Sequence, residues 1–330
     1  MLKQQKIFFD FLRFCIGSAE IPGSLKEVDW KELYAIAKKQ CLVGVLFDGI
    51  KKLPAEHVGM EKELLLHWMA ESQMLEKANV RLNDAAIQVS EWFRKKRFRT
   101  CILKGQGNAL MYPNPYSRTP GDIDIWVEGG DKRVISFVRS ISPHEKACYH
   151  HIEFPSYKGV EVEVHYRPSF LLCFWHNRKL QKYYERVKEE QFSHRVMLGE
   201  QGEIAIPTAE FNLIFQLTHI YAHLMNEGIG LRQLLDYYYV LISDDLLLIR
   251  DRVQKELKEL GLWKFAGGIM YIMQEVFGMP ASRLIVPPNE KYGKFVLNEV
   301  LEAGNFGKHD ERNCFGRSKL GHNLQRVYRD

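Results

Sequence analysis

The run Gly121-Asp122-Ile123-Asp124-Ile125-Trp126-Val127 places two carboxylates at alternate positions of a segment that otherwise reads as a buried strand. Successive strand side chains point to opposite faces, so Asp122 and Asp124 share one face while Ile123 and Ile125 take the other. The isoleucine face has to be covered by other elements. The aspartate face brings two like charges together, and they repel. Hard oxygen ligands at this spacing bracket a divalent cation such as Mg²⁺ and leave coordination positions for substrate phosphates. The other arrangement is a solvent-facing strand whose aspartates stay hydrated. The pair alone does not choose between them.

A second alternating run, Val160-Glu161-Val162-Glu163-Val164-His165-Tyr166, puts the valines and Tyr166 on one face and Glu161, Glu163 and His165 on the other. Any half-exposed antiparallel strand alternates in this way. Beside a strand that presents Asp122 and Asp124, however, the polar face offers a third carboxylate, as a metal ligand or as a general base on an acceptor hydroxyl. Upstream, Arg99 to Leu103 reads as a short strand that runs into Lys104-Gly105-Gln106-Gly107 and a brief helical segment, Asn108 to Tyr112. Glycines let the backbone approach a ligand closely, and free N–H groups at a helix start favour anions, so this turn is a candidate phosphate cradle. A lone GxG is weak evidence by itself.

The rest of the chain sets these strands between helices. From Leu64 onward, Trp68, Leu75, Leu82, Ala85, Val89 and Trp92 recur at helical spacing, which predicts one long helix over about Glu61 to Lys96. Lys31 to Leu46, preceded by Asp29, predicts a shorter one. The loop from Pro113 to Pro120 holds three prolines, which block regular structure. Asp131 is expected to cap a helix through Val134, Phe137 and Val138. His151 to Phe154 and Val160 to Tyr166 are expected to pair through a turn at Tyr157-Lys158-Gly159. Pro207-Thr208 reads as the start of a helical stretch that reaches about Phe277. The expectation is an α+β protein in three ranges: N-terminal helices over 1–97, a small mixed-sheet domain over 98–206, and a C-terminal helical domain with a basic arm over 207–330.

Together the glycine turn, the Asp-x-Asp and the later lone acidic residue resemble the nucleotidyltransferase superfamily. More narrowly, Leu103-Lys104-Gly105, Arg118 with Gly121-Asp122-Ile123-Asp124, and Val162-Glu163-Val164-His165 resemble the family of uncharacterised bacterial nucleotidyltransferases, as does Gly228-Ile229-Gly230-Leu231-Arg232-Gln233-Leu234-Leu235-Asp236 farther on. The likeness covers roughly residues 60 to 310. One departure is that Lys104-Gly105-Gln106 replaces the Gly-Ser that many superfamily members carry in the first turn.

The resemblance implies that Asp122 and Asp124 hold two Mg²⁺ ions, with Mn²⁺ as a substitute, and that Glu163 holds one of them while helping to deprotonate an acceptor. Glu161 shares that face, and only the match to Glu-Val-His favours Glu163. The implied reaction moves a nucleoside monophosphate from a nucleoside triphosphate to an unidentified hydroxyl, amine or phosphate acceptor, with pyrophosphate leaving in line. With the serine absent, phosphate contacts fall to backbone N–H groups around Gly105 and Gln106 and to Lys104 or Arg118. By the same resemblance His219 or His223 and Arg232 face the cleft. A non-catalytic nucleotide-binding or regulatory protein, as half of a two-component defence system, is the competing class. A site freed from catalysis has no reason to keep three mutually repelling carboxylates.

Read without the resemblance, the remaining signals have plain explanations. His219, His223 and Glu227 line one helix stripe, where packed histidines are commoner than a zinc site. Arg232 and Asp236 are spaced for an intrahelical ion pair. Tyr237-Tyr238-Tyr239 reads as core and interface packing, and His150-His151 as a strand-end pair at the surface. Gly304 to Asp330 reads as a basic terminal arm. A net charge of +5 is compatible with a polyanionic ligand such as a nucleotide but too weak to argue for a dedicated nucleic-acid surface, so a nucleic-acid partner is not expected. No run approaches the roughly 20 apolar residues that span a bilayer, so no membrane partner is expected. The start of the chain lacks the pattern of a secretion signal. Cys15, Cys41, Cys101, Cys148, Cys173 and Cys314 form no CxxC pair and read as reduced, mostly buried thiols of a cytoplasmic protein.

Overall fold

The computed structural model of the chain describes residues 3–200 and 202–304. In chain order the elements begin with helices α1 (Lys3–Cys15), α2 (Trp30–Lys39), α3 (Val43–Lys52) and α4 (Lys62–Lys95). Strand β1 (Thr100–Ile102), the short α5 (Gln106–Ala109), β2 (Ile123–Val127) and α6 (Gly130–Ile141) follow. Next come β3 (His151–Tyr157), β4 (Val160–His165), α7 (Phe174–Ser193), β5 (Arg195–Met197) and β6 (Glu203–Ala205). Helices α8 (Ala209–Asn226), α9 (Leu231–Leu241), α10 (Leu246–Glu259), α11 (Trp263–Phe277) and α12 (Glu290–Ala303) complete the described chain. The protein is α+β, as expected. The basic arm lies outside the described residues, apart from Gly304.

The chain forms two compact units. Among the described residues, one gathers those up to Leu75, Ser117–Thr119 and those from His219; the other comprises Glu76–Tyr116 and Pro120–Thr218. α1 packs on both α3 and α11, so helices far apart in the sequence share one helical unit.

The sheet unit is built on four strands in the order β1-β2-β4-β3. β1 runs antiparallel to β2, β2 parallel to β4, and β3 antiparallel to β4, so the sheet is mixed. The β3–β4 hairpin turns through Lys158 and Gly159 at φ +52° and +78°, the paired positive angles of a tight two-residue turn that matches strand twist. Ile123, Ile125, Val127, Val162 and Val164 pack one sheet face against Leu82, Ala86, Val89 and Phe93 of α4 and Val134 and Val138 of α6. Trp126 points the other way and packs on Phe192 and Phe211. Burying five aliphatic side chains at about 1.5–3 kcal/mol each fixes the strand register, because a slip of one residue would turn the carboxylates into the core.

In the helical unit the expected 31–46 helix is two helices. Asp29 caps α2 by accepting from the N–H groups of Lys31 and Glu32. The helix then stops at Cys41, whose φ is +55°, with the Leu42 N–H donating to the Ala37 carbonyl at 2.8 Å and that of Cys41 to Lys38 at 3.1 Å. This is the left-handed termination usually given to glycine. Buried Gln40 ties the corner down, accepting from the Leu231 N–H at 2.8 Å and donating to the Val300 carbonyl at 3.2 Å. Asp131 sits inside the first turn of α6, whose N-cap is Gly129, and accepts from the Lys132 N–H. Tyr237, Tyr238 and Tyr239 are all buried in α9. Among the described residues no helix is long and apolar enough to cross a membrane.

Candidate active site on the polar face of the sheet

The parallel pairing of β2 and β4 sets Asp124 beside Glu163 and Trp126 beside His165. Adjacent strands lie about 4.8 Å apart, so residues in register on one face are neighbours. Asp122 stands just before β2 on the same alternation. One ligand oxygen from each of Asp122, Asp124 and Glu163 lies within 4.8 Å of the others, a set suited to a metal ion. Three hard oxygen donors match Mg²⁺ or Mn²⁺ in kind. Glu161 falls one pleat farther along β4 and is not in this group.

Two cations answer the carboxylates. Lys104 Nζ stands 2.9 Å from Asp124 Oδ2, and His165 Nε2 stands 2.9 Å from Asp124 Oδ1. His165 Nε2 also approaches Glu163 Oε2 at 3.4 Å, and His151 Nδ1 approaches the same oxygen at 3.5 Å. Asp124 and His165 are buried, whereas Asp122 and Glu163 keep partial exposure.

The titration behaviour follows from this crowding. The charge of Asp124, with burial adding to it, raises the Asp122 pKa above the ordinary aspartate value. Burial pulls the Lys104 ammonium down, but Asp124 and Asp122 more than offset it and leave it above the usual lysine value. Burial likewise acts against a charged His165, yet its hydrogen bonds to Asp124 and Glu163 carry it up to about 9. Glu163 moves below the usual glutamate value: burial opposes this, and the bond from His165 outweighs it. At neutral pH the site therefore holds an ionised Glu163 and a protonated His165.

The glycine turn is shorter than expected: α5 begins at Gln106, not Asn108, and ends at Ala109, so Gln106 and Gly107 lie in the helix. Gly105 has φ +63° and ψ −110° and redirects the chain from β1 into α5. A side chain there would be strained by the backbone angle alone. Gln106, by contrast, is buried, with its side-chain amide donating to Asn83 Oδ1 and to the Asn79 carbonyl on α4. It braces the turn, and any contact it makes with phosphate has to come from its backbone.

Arg118, Arg232 and His223 belong to the helical unit. Arg118 is buried and grips Asp236 with Nε and Nη2, both at 2.8 Å. Asp236, expected to pair within its own helix, thus receives a partner 118 residues distant in sequence. Arg232 Nη1 donates to the Thr119 carbonyl at 3.1 Å. His223 lies 2.9 Å from His219 and 3.1 Å from Glu227, the packed arrangement rather than a metal group.

The roles of Lys104 and His165 toward Asp124 were not legible in the sequence, because pairing across strands is what joins them. The cysteines, expected to be mostly buried, are divided. Cys148 is exposed, as is Cys173, whereas Cys15 and Cys101 are buried. Burial would raise the Cys148 pKa, but bonds from His150 and His151 bring it down to about 4.

A mixed sheet with convergent carboxylates on adjacent strands defines a protein with a candidate divalent-cation site. Residues 26–278 match the family described as uncharacterised nucleotidyltransferases, and the chain belongs to that family. None of the curated proteins matches the sequence. Among solved structures the chain is similar to an antigenic nucleotidyltransferase-like protein from Paracoccidioides brasiliensis, at 15% identity and a TM-score of 0.31, covering 58% of this chain and 93% of that one.

Proposed function

We propose that the protein is a divalent-metal-dependent nucleotidyltransferase that moves a nucleoside monophosphate from a nucleoside triphosphate to an acceptor. The observation that carries this reading is the convergence of Asp122, Asp124 and Glu163 within 4.8 Å on one sheet face, in a chain of this family. Asp122, Asp124 and Glu163 are the residues that would hold Mg²⁺, and the ion would supply neutralisation of charge on the triphosphate and on the leaving pyrophosphate. Three carboxylates against Lys104 and His165 leave the cluster short of positive charge, which a cation restores.

The chain's own groups then divide the work. The ionised Glu163 accepts the proton of the acceptor hydroxyl or amine as its oxygen or nitrogen attacks the α-phosphorus. His165 holds Asp124 and Glu163 in register. Lys104, held on Asp124 at 2.9 Å, provides a positive charge for a phosphate oxygen, and the Gly105 turn brings the backbone of α5 close to the phosphates. Arg118, Arg232 and His223 are left out of this assignment, since their polar atoms serve partners inside the helical unit.

The test is incubation with each labelled nucleoside triphosphate, Mg²⁺ and a host-cell extract. The expected result is pyrophosphate together with a labelled acceptor, and neither with Asp122→Ala or Asp124→Ala. Equal yields from the wild type and both variants would sink the assignment.

A further inference from the structure

The turn that opens β3 carries a second group of donors that the carboxylate chemistry does not use. Cys148, His150 and His151 each offer one ligand atom, all within 4.8 Å of one another. Cys148 Sγ lies 3.4 Å from His150 Nδ1, and His150 Nε2 lies 3.1 Å from His151 Nδ1. We propose that these three side chains form a binding site for a soft divalent transition ion, Zn²⁺ being the best fit, which adjoins the hard-cation site on the carboxylates where His151 Nδ1 stands 3.5 Å from Glu163 Oε2.

Donor chemistry is the first argument. Thiolate and imidazole select Zn²⁺ and its neighbours over Mg²⁺, whereas carboxylates do the reverse. A tetrahedral zinc ion with bonds of about 2.0–2.3 Å holds its donors roughly 3.5 Å apart, a spacing that the 4.8 Å spread of one ligand atom from each side chain brackets; Cys148 and His151 meet opposite ring nitrogens of His150, of which the ion would take one. Two imidazole nitrogens in contact must share a proton, and the ion takes the place of that proton. With Cys148 exposed, the fourth position is open to water.

The second argument is that the backbone is already fixed. Every carbonyl from Cys148 to His151 is engaged. The Cys148 carbonyl accepts from the Tyr166 hydroxyl, and that of Tyr149 from Arg167 Nη1 at 2.6 Å. The His150 carbonyl accepts from the N–H groups of Tyr166 at 3.0 Å and Arg167 at 3.1 Å, and the His151 carbonyl from the Cys148 N–H at 2.9 Å. The His150 ring is also braced on Phe170, with ring centroids 5.0 Å apart. This bracing holds the backbone of the turn in place. For an ion it removes the entropy of ordering three ligands.

The site stands whether or not the carboxylates are catalytic, and its test does not depend on turnover. The full chain is stripped with a chelator and titrated with Co²⁺ and then Zn²⁺. The wild type is expected to develop a thiolate-to-cobalt charge-transfer band that Zn²⁺ abolishes and excess Mg²⁺ leaves in place. Cys148→Ser should lose the band, and His150→Ala should weaken Co²⁺ binding on the order of 100-fold. Asp122→Asn/Asp124→Asn should keep the band. Bound zinc should also protect Cys148 from alkylation. Thermal melts check folding, and the exposed position of Cys148 makes its serine variant the safer of the two. Absence of the band in the wild type, its survival in Cys148→Ser, or its loss in the aspartate double variant would each overturn the proposal.

Discussion

In the helical unit Asp236 meets Arg118 through two hydrogen bonds of 2.8 Å, whereas in the sheet unit Asp124 divides its oxygens between Lys104 and His165 with Asp122 and Glu163 close by. In the first a carboxylate meets a planar cation whose fork matches it. The pair works as a fastening between the 117–119 segment and α9. The second sets three carboxylates against two cations and pushes Asp122, Lys104 and His165 upward from their usual pKa values. Perturbation by like charge in a partly open site is a mark of function, and a matched buried pair is a mark of architecture.

This contrast is open to breakage at several points. The largest effect is expected from Asp122→Asn. Nucleotide-dependent pyrophosphate release should fall on the order of 10³-fold, since a ligand worth several kcal/mol of transition-state stabilisation is lost. The melting temperature should hold or rise, because a repelling charge is gone. A variant that melted much lower while keeping its activity would reverse the assignment of the two clusters.

Arg118→Met is expected to do the opposite. Leaving Asp236 buried without that guanidinium should cost about 3–5 kcal/mol in denaturant unfolding. A loss below about 1 kcal/mol would put the pair with ordinary surface bridges.

A smaller effect is expected from pH. His165 gains its proton more readily in the folded chain, so its stabilisation is complete below pH 6.5 and fades as pH rises through about 9. Melting temperatures of the wild type and His165→Gln should converge over that window. A constant difference would show that His165 does not carry the charge assigned to it.

The local patterns were legible in the sequence, and the partnerships were not. The alternation in 121–127 and 160–166 gave both strands, the 3.6-residue period gave α4, and Lys158-Gly159 gave the hairpin turn, because each depends on neighbours a few residues away. The break between α2 and α3 depends on a cysteine in a left-handed conformation, which composition does not announce. α7 went unread because its apolar positions are sparse and its first turn exposes Phe174 and Trp175. At the candidate site the carboxylates stood out by spacing. The ion pairs of Asp124 with Lys104 and His165, and of Arg118 with Asp236, arise from chain segments that only the fold brings together. Cys148 was readable as part of Cys-x-His-His, a spacing that puts three soft donors on one turn.

The claim on which the rest depends is that Asp122, Asp124 and Glu163 form a divalent-cation site, and Mn²⁺ binding followed by electron paramagnetic resonance tests it most directly. The Cys148→Ser protein, which lacks the softer donor, should bind Mn²⁺ and bind it more tightly when a nucleoside triphosphate is added. Introducing Asp122→Asn and Asp124→Asn should abolish that binding while the protein stays folded. Undiminished Mn²⁺ binding in the aspartate variants would contradict the claim.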